Sequence, residues 1–200
     1  MAATAEPAAA DELVWLKRAV FVLVAPRMVL AGIRDDSDDA ARARSEAVLA
    51  LVLLAGIATV LWTPTYAHLL RDRGVAWDPL LIAVLAFIGG GLYGTFVYWL
   101  GGLLLHAAAS PFHVPHTYRQ ARHLLAFAAA PLALSLFLVW PVRLAVYGED
   151  VFKPGGSDRA AGNWAFAGLE LALLAWSLAL LALGVRIVFS NSSSSSAGIS

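Results

Sequence analysis

The chain has 200 residues, 60% of them hydrophobic and 14% charged, with a formal net charge of zero. A soluble domain of this size would lack the polar surface to cover so large an apolar share, and a neutral balance gives no pull toward nucleic acid. Cysteine is absent, which excludes a disulfide framework, a thiolate metal site and a cysteine nucleophile.

Residues 1–12, MAATAEPAAADE, carry acids and no Lys or Arg, so they lack the positive region of a signal peptide and read as a disordered N-terminus. A helical membrane domain is expected over 13–189. Residues 13–34 are apolar but carry Lys17, Arg18 and Arg27. Each charge near a helix centre would cost about 2.5–3.5 kcal/mol in the bilayer, so an amphipathic helix lying in the interface is predicted, with a further span as the alternative. Asp35-Asp36-Ser37-Asp38-Asp39 reads as a helix start, with Asp38–Arg42 and Arg42–Glu46 as i,i+4 pairs. As a calcium loop the run lacks the ordered oxygen spacing and the glycine.

Four apolar stretches follow, at about 47–66, 79–108, 122–147 and 164–189, each reaching the ~20 residues a helix needs to cross a bilayer. The predicted fold is an all-α polytopic bundle of about four transmembrane helices. The second stretch contains Gly89-Gly90-Gly91, Gly94 and Gly101-Gly102. Gly90 and Gly94 have the spacing that lets two helices approach closely; the alternative is a broken helix lining a cavity. Pro131 and Pro141 predict kinks in the third. Residues 148–163 form a Gly-rich polar loop without a phosphate-cradling motif. Residues 190–200, SNSSSSSAGIS, read as a flexible Ser-rich tail.

With four spans, the N-terminal side carries Arg27, Arg34, Arg42, Arg44, Arg119, Arg122 and Arg186 close to the membrane. The other side carries Arg71, Arg73, Arg143, Lys153 and Arg159. The bias predicts a cytoplasmic N-terminus in a multi-pass plasma-membrane protein. Trp62, Tyr66, Trp77, Trp140, Tyr147 and Trp164 would form an aromatic belt at the opposite ends. Arg outnumbers Lys twelve to two and Ala is abundant, a composition typical of GC-rich bacterial genomes.

Glu170 falls about two turns inside the fourth span, and Arg143 lies at comparable depth in the antiparallel third. An intramembrane pair is expected; the sharper alternative has Glu170 binding a proton or cation on a transport path. His113 and His116, at HxxH spacing, are weak metal candidates, since their loop has no carboxylate and Pro111 and Pro115 oppose a regular helix. No catalytic constellation is found, so neither enzyme activity nor a cofactor or metal is expected.

Residues 118–131, YRQARHLLAFAAAP, and 176–186, WSLALLALGVR, resemble segments of the YIP family of Ypt/Rab-interacting membrane proteins. Residues 25–55 resemble the proline-containing approach and first span of its bacterial members. The resemblance covers roughly 14–189 and implies a helical bundle with a cytoplasmic N-terminus. Eukaryotic relatives are linked to Rab GTPases and vesicle traffic, a role that does not carry over to bacteria. Family members usually have five spans; here four are clear, and the Ser-rich tail stands where the fifth is expected.

The expected function is therefore a non-enzymatic membrane scaffold or membrane-organising protein, with the lipid bilayer and a homo-oligomer or membrane-protein partner. The alternative is a small transporter or channel subunit with Glu170 as its intramembrane polar site.

Overall fold

The computed structural model describes residues 20–62, 79–110, 116–152 and 162–189. The expected disordered N-terminus (1–12) and Ser-rich tail (190–200) lie outside the described residues, as do His113 and most of the Gly-rich loop. Among the described residues, a short helical piece at 20–24 is followed in chain order by α1 (Pro26–Ala31), α2 (Asp38–Trp62), α3 (Pro79–Ala109), α4 (Tyr118–Ala128), α5 (Ala130–Tyr147) and α6 (Asn163–Phe189). Single 3-10 turns follow α1 (Gly32–Arg34) and α5 (Gly148–Phe152). No strand occurs among the described residues.

Among the described residues, four elements are long and apolar enough to cross a membrane: α2, most of α3, α4 and α5 taken together, and α6. The chain is a multi-pass, all-α membrane protein. The spans alternate in direction. One end of the bundle, here the near end, gathers residues 20–38, the end of α3, the start of α4 and the end of α6.

Residues 20–31 form two short helical pieces rather than one helix. Pro26 disfavours helical geometry in the residue before it, and Ala25 sits at φ −129°, ψ 60°. The proline then opens α1, where its missing N–H is no loss. Val22, Leu30 and Ile33 are fully buried against the bundle, α1 packing on α6. Val24 and Met28 point the other way and are exposed. The segment is thus docked on the near end by one apolar side and offers a second to its surroundings.

The third span is the most buried and α3 the least, with 50% against 17% of their central stretches inside the bundle. The third span therefore forms the centre, touching α2, α3 and α6. It is also the span that breaks. Pro131 cannot donate to the carbonyl four residues back, and its ring crowds that carbonyl. The chain ends α4 at Ala128, turns at Ala129 (φ −79°, ψ 0°) and restarts as α5 with Pro131 in its first turn. Pro141 does not end a helix: that exposed residue lies inside α5, which runs on to Tyr147. The glycines of the second span do not interrupt it either, since α3 is continuous from Pro79 to Ala109. Without a freed backbone segment, there is no broken helix here to line a cavity.

Candidate functional site

Glu170 on α6 is buried, and Arg143 on α5 faces it with Nη1 3.6 Å from Oε1. That separation is an ion pair but exceeds a hydrogen bond. The guanidinium is held from two further directions. Nη2 donates to Asn163 Oδ1 at 3.1 Å, and the group lies 5.3 Å from the centre of the Trp140 ring. The Trp62 indole donates toward the Glu170 carboxylate, while Oε1 itself accepts no hydrogen bond. The space beside Glu170, bounded by Ala58, Thr59, Trp62, Leu132 and Ser135, amounts to about 10 Å³. A single water needs roughly that much room. Chemically the arrangement holds one charge pair in place.

Gly90 and Gly94 lie where α3 crosses α2. A methyl group on Gly90 would sit 2.4 Å from Ile57 Cα, and one on Gly94 would sit 2.3 Å from the Val52 carbonyl oxygen. The partner is a third glycine that spacing within one helix does not reveal: a methyl on Gly56 would meet the Gly90 oxygen at 2.2 Å. Backbone packs on backbone here, which only glycine permits. The crossing is made within one chain, so this face is already occupied.

His116 precedes α4, with Nε2 3.2 Å from the His106 carbonyl oxygen. Its ring packs edge-on against His106 and Phe189, at 4.8 and 4.9 Å between centroids. Among the described residues no group of three His, Asp or Glu side chains is placed to hold a metal ion.

The most heavily bonded cluster was not anticipated. At the near end, Arg119 reaches across from α4 to the acidic run before α2. Its Nε lies 2.7 Å from Asp36 Oδ1, its Nη1 lies 2.8 Å from Asp38 Oδ1, and its Nη2 donates to the Asp36 carbonyl. Thr117 Oγ1 donates to Asp36 Oδ2 at 2.7 Å. The same threonine caps α4: its hydroxyl accepts from Gln120 N, and the Gln120 side chain accepts from Thr117 N. Gln120 then donates to the Arg34 carbonyl at 3.0 Å. Arg34 in turn donates through Nε to the Ile187 carbonyl of α6 at 2.8 Å. From α2, the buried Arg44 reaches back to the carbonyls of Gly32 and Asp35. The loop 32–38 is thereby tied to α2, α4 and α6 at once. The i,i+4 spacing predicts a local Asp38–Arg42 pair; instead Asp38 meets Arg119, 81 positions away. The available signal was the T-x-x-Q capping box at 117–120 beside two arginines, facing a run of acids.

Residues 20–200 match the Yip1 domain family. The chain belongs to the Yip1 domain family. No curated protein and no solved structure matches it. The near-end cluster, the glycine crossing and the Arg143–Glu170 pair all lie inside the matched Yip1 domain.

The near-end cluster of this Yip1 domain has a pH signature. Burial raises the Asp36 carboxyl, but hydrogen bonds from Arg119 and Thr117 and the charges of Arg119 and Arg44 more than offset it, leaving its pKa below the ordinary 3.8. A carboxylate depressed in the folded state adds stability above its unfolded pKa, and that contribution disappears as pH falls through the folded value. Asp36→Asn is therefore expected to lower stability near neutral pH and to flatten the loss of stability below 3.8. Thermal melts in detergent from about pH 5 to pH 2 read this out. Parallel curves for the two proteins would remove Asp36 from the linkage.

Proposed function

We propose that this Yip1-domain protein is a non-catalytic scaffold or membrane-organising protein of the plasma membrane, with its near end in the cytoplasm. The observation that carries the proposal is the closed state of its intramembrane polar site. Glu170 is the one buried carboxylate among the described residues, it faces Arg143, and the space beside it is about 10 Å³. Proton or ion passage needs a connected polar path. Acid–base catalysis needs a titratable group within hydrogen-bond reach of a substrate, and about 10 Å³ beside Glu170 leaves no room for one. What the bundle offers instead is surface. α3 exposes Leu92, Phe96, Leu103 and Leu104 along its length while its glycine stripe holds it to α2. Such a helix is available to lipid, to a second copy or to another membrane protein. The cytoplasmic placement of the near end rests on the arginines gathered there.

One preparation tests both parts. In right-side-out membrane vesicles, Ser37→Cys should react with an impermeant thiol reagent only after permeabilisation. The same vesicles should show no proton or cation flux that depends on the protein. Labelling of intact vesicles would reverse the orientation. A flux abolished by Glu170→Gln would establish the transporter alternative and end the scaffold proposal.

A further inference from the structure

A cavity of about 200 Å³ lies between α2, α3 and the break that separates α4 from α5. Val97, Tyr98, Leu125, Ala126 and Ala129 are among its walls, and its lining is almost wholly apolar. About 150 Å³ suffices for a benzene-sized apolar guest. Between membrane-spanning helices, the apolar guest at hand is hydrocarbon.

Arg122 stands one turn before Leu125 and Ala126 on α4, toward the near end. Its guanidinium lies 5.2 Å from the centre of the Tyr98 ring, 4.0 Å from Trp99 and 4.5 Å from Tyr118. Tyr98 therefore borders both the cavity and the cation. The arginine stem crosses α3 over Gly102, where a methyl group would come within 2.3 Å of Arg122 Cγ. Among the described residues no carboxylate pairs with this arginine, and its Nε is buried without a hydrogen-bond partner. The neighbouring Arg119, three residues earlier, is met by two carboxylates. Aromatic rings stabilise and orient a cation but do not neutralise it. A guanidinium fixed in this way presents its fork to a planar or tetrahedral oxyanion. At one turn inside a span, beside Trp99 and Tyr118, the depth is that of lipid phosphates.

We propose that Arg122 and this cavity form a binding site for one anionic phospholipid, its phosphate on the guanidinium and one acyl chain in the cavity. The site goes beyond the scaffold function and holds whichever end of the bundle faces the cytoplasm.

The test uses the full chain, delipidated in detergent, and native mass spectrometry. Dioleoyl phosphatidylglycerol and dioleoyl phosphatidylcholine share their chains and differ in headgroup charge. One phosphatidylglycerol per chain should be retained, with a preference of about fivefold over phosphatidylcholine. Arg122→Gln should bring the two lipids to parity, while Arg186→Gln, an exposed arginine at the end of α6, should keep the preference. Val97→Phe, which narrows the cavity, should lower retention of both lipids. Equal retention of the two lipids by the wild-type chain would overturn the proposal, as would a preference that survives in Arg122→Gln. Full retention in Val97→Phe would remove the acyl-chain half. Displacement of the lipid by inorganic phosphate at equal concentration would replace the lipid site with one for a free anion.

Discussion

Gly94→Leu is expected to force α3 away from α2 and to destabilise the bundle by about 3 kcal/mol or more, the upper range for overpacking. The reason is what the new side chain meets. At Gly94 the first carbon already falls 2.3 Å from the Val52 carbonyl oxygen and 3.3 Å from Gly56 Cα. Flexible side chains can turn aside, but backbone of a neighbouring helix moves only with the whole helix. Gly56→Leu, on the other side of the same crossing, should behave alike. Gly168→Leu is the control, because a methyl there has nothing within 4 Å. Unfolding in mixed micelles, followed by circular dichroism, separates the three. Equal stability of the Gly94 and Gly168 variants would refute the crossing. The loss belongs to the single chain, so it should not depend on protein concentration, as failure of a self-association face would.

Arg143→Leu is expected to cost about 3–5 kcal/mol, because it leaves the Glu170 carboxylate buried without its counter-charge. Glu170→Gln should cost less. It leaves a neutral group that can still accept from Trp62, and the freed Arg143 keeps its bond to Asn163 and can extend toward the interface. The double variant Arg143→Leu, Glu170→Leu removes both charges and should lie well above the sum of the two leucine replacements in stability, since the buried ion is no longer present. A complete double-mutant cycle in bicelles measures that coupling. Additivity of the single costs would mean that the 3.6 Å pair carries no interaction energy.

The same two features divide what could be read in advance from what could not. Gly90 and Gly94 stand out in one apolar helix because small residues four apart leave a flat stripe. Which helix lies on that stripe depends on Gly56, a residue in a different span with no neighbouring glycine to mark it. Glu170 and Arg143 stand out because charge inside an apolar run is costly, and depth along antiparallel helices predicts that they can meet. The side chains that close in around them, Asn163 and Trp62, come from places that no periodicity connects. The near-end cluster shows the limit most clearly. Its acids read as a local helix cap because a cap needs only adjacent residues. Their partners Thr117 and Arg119 are brought in by the antiparallel return of the chain.

By itself, the sequence determined the membrane class, the four spans and the near-end positive bias, all consequences of keeping charge out of hydrocarbon along a single helix. It also marked Pro131 and Pro141 as kink positions in the third span, since a missing N–H is a local fact. Only the tertiary structure decided which glycines touch, that Pro141 is tolerated where Pro131 is not, that the N-terminal segment docks on α6, and that Arg119 is paired by acids while Arg122 is ringed by aromatics. Those outcomes depend on contacts between residues far apart in the chain, where side-chain shape and backbone approach, rather than hydropathy, determine the result.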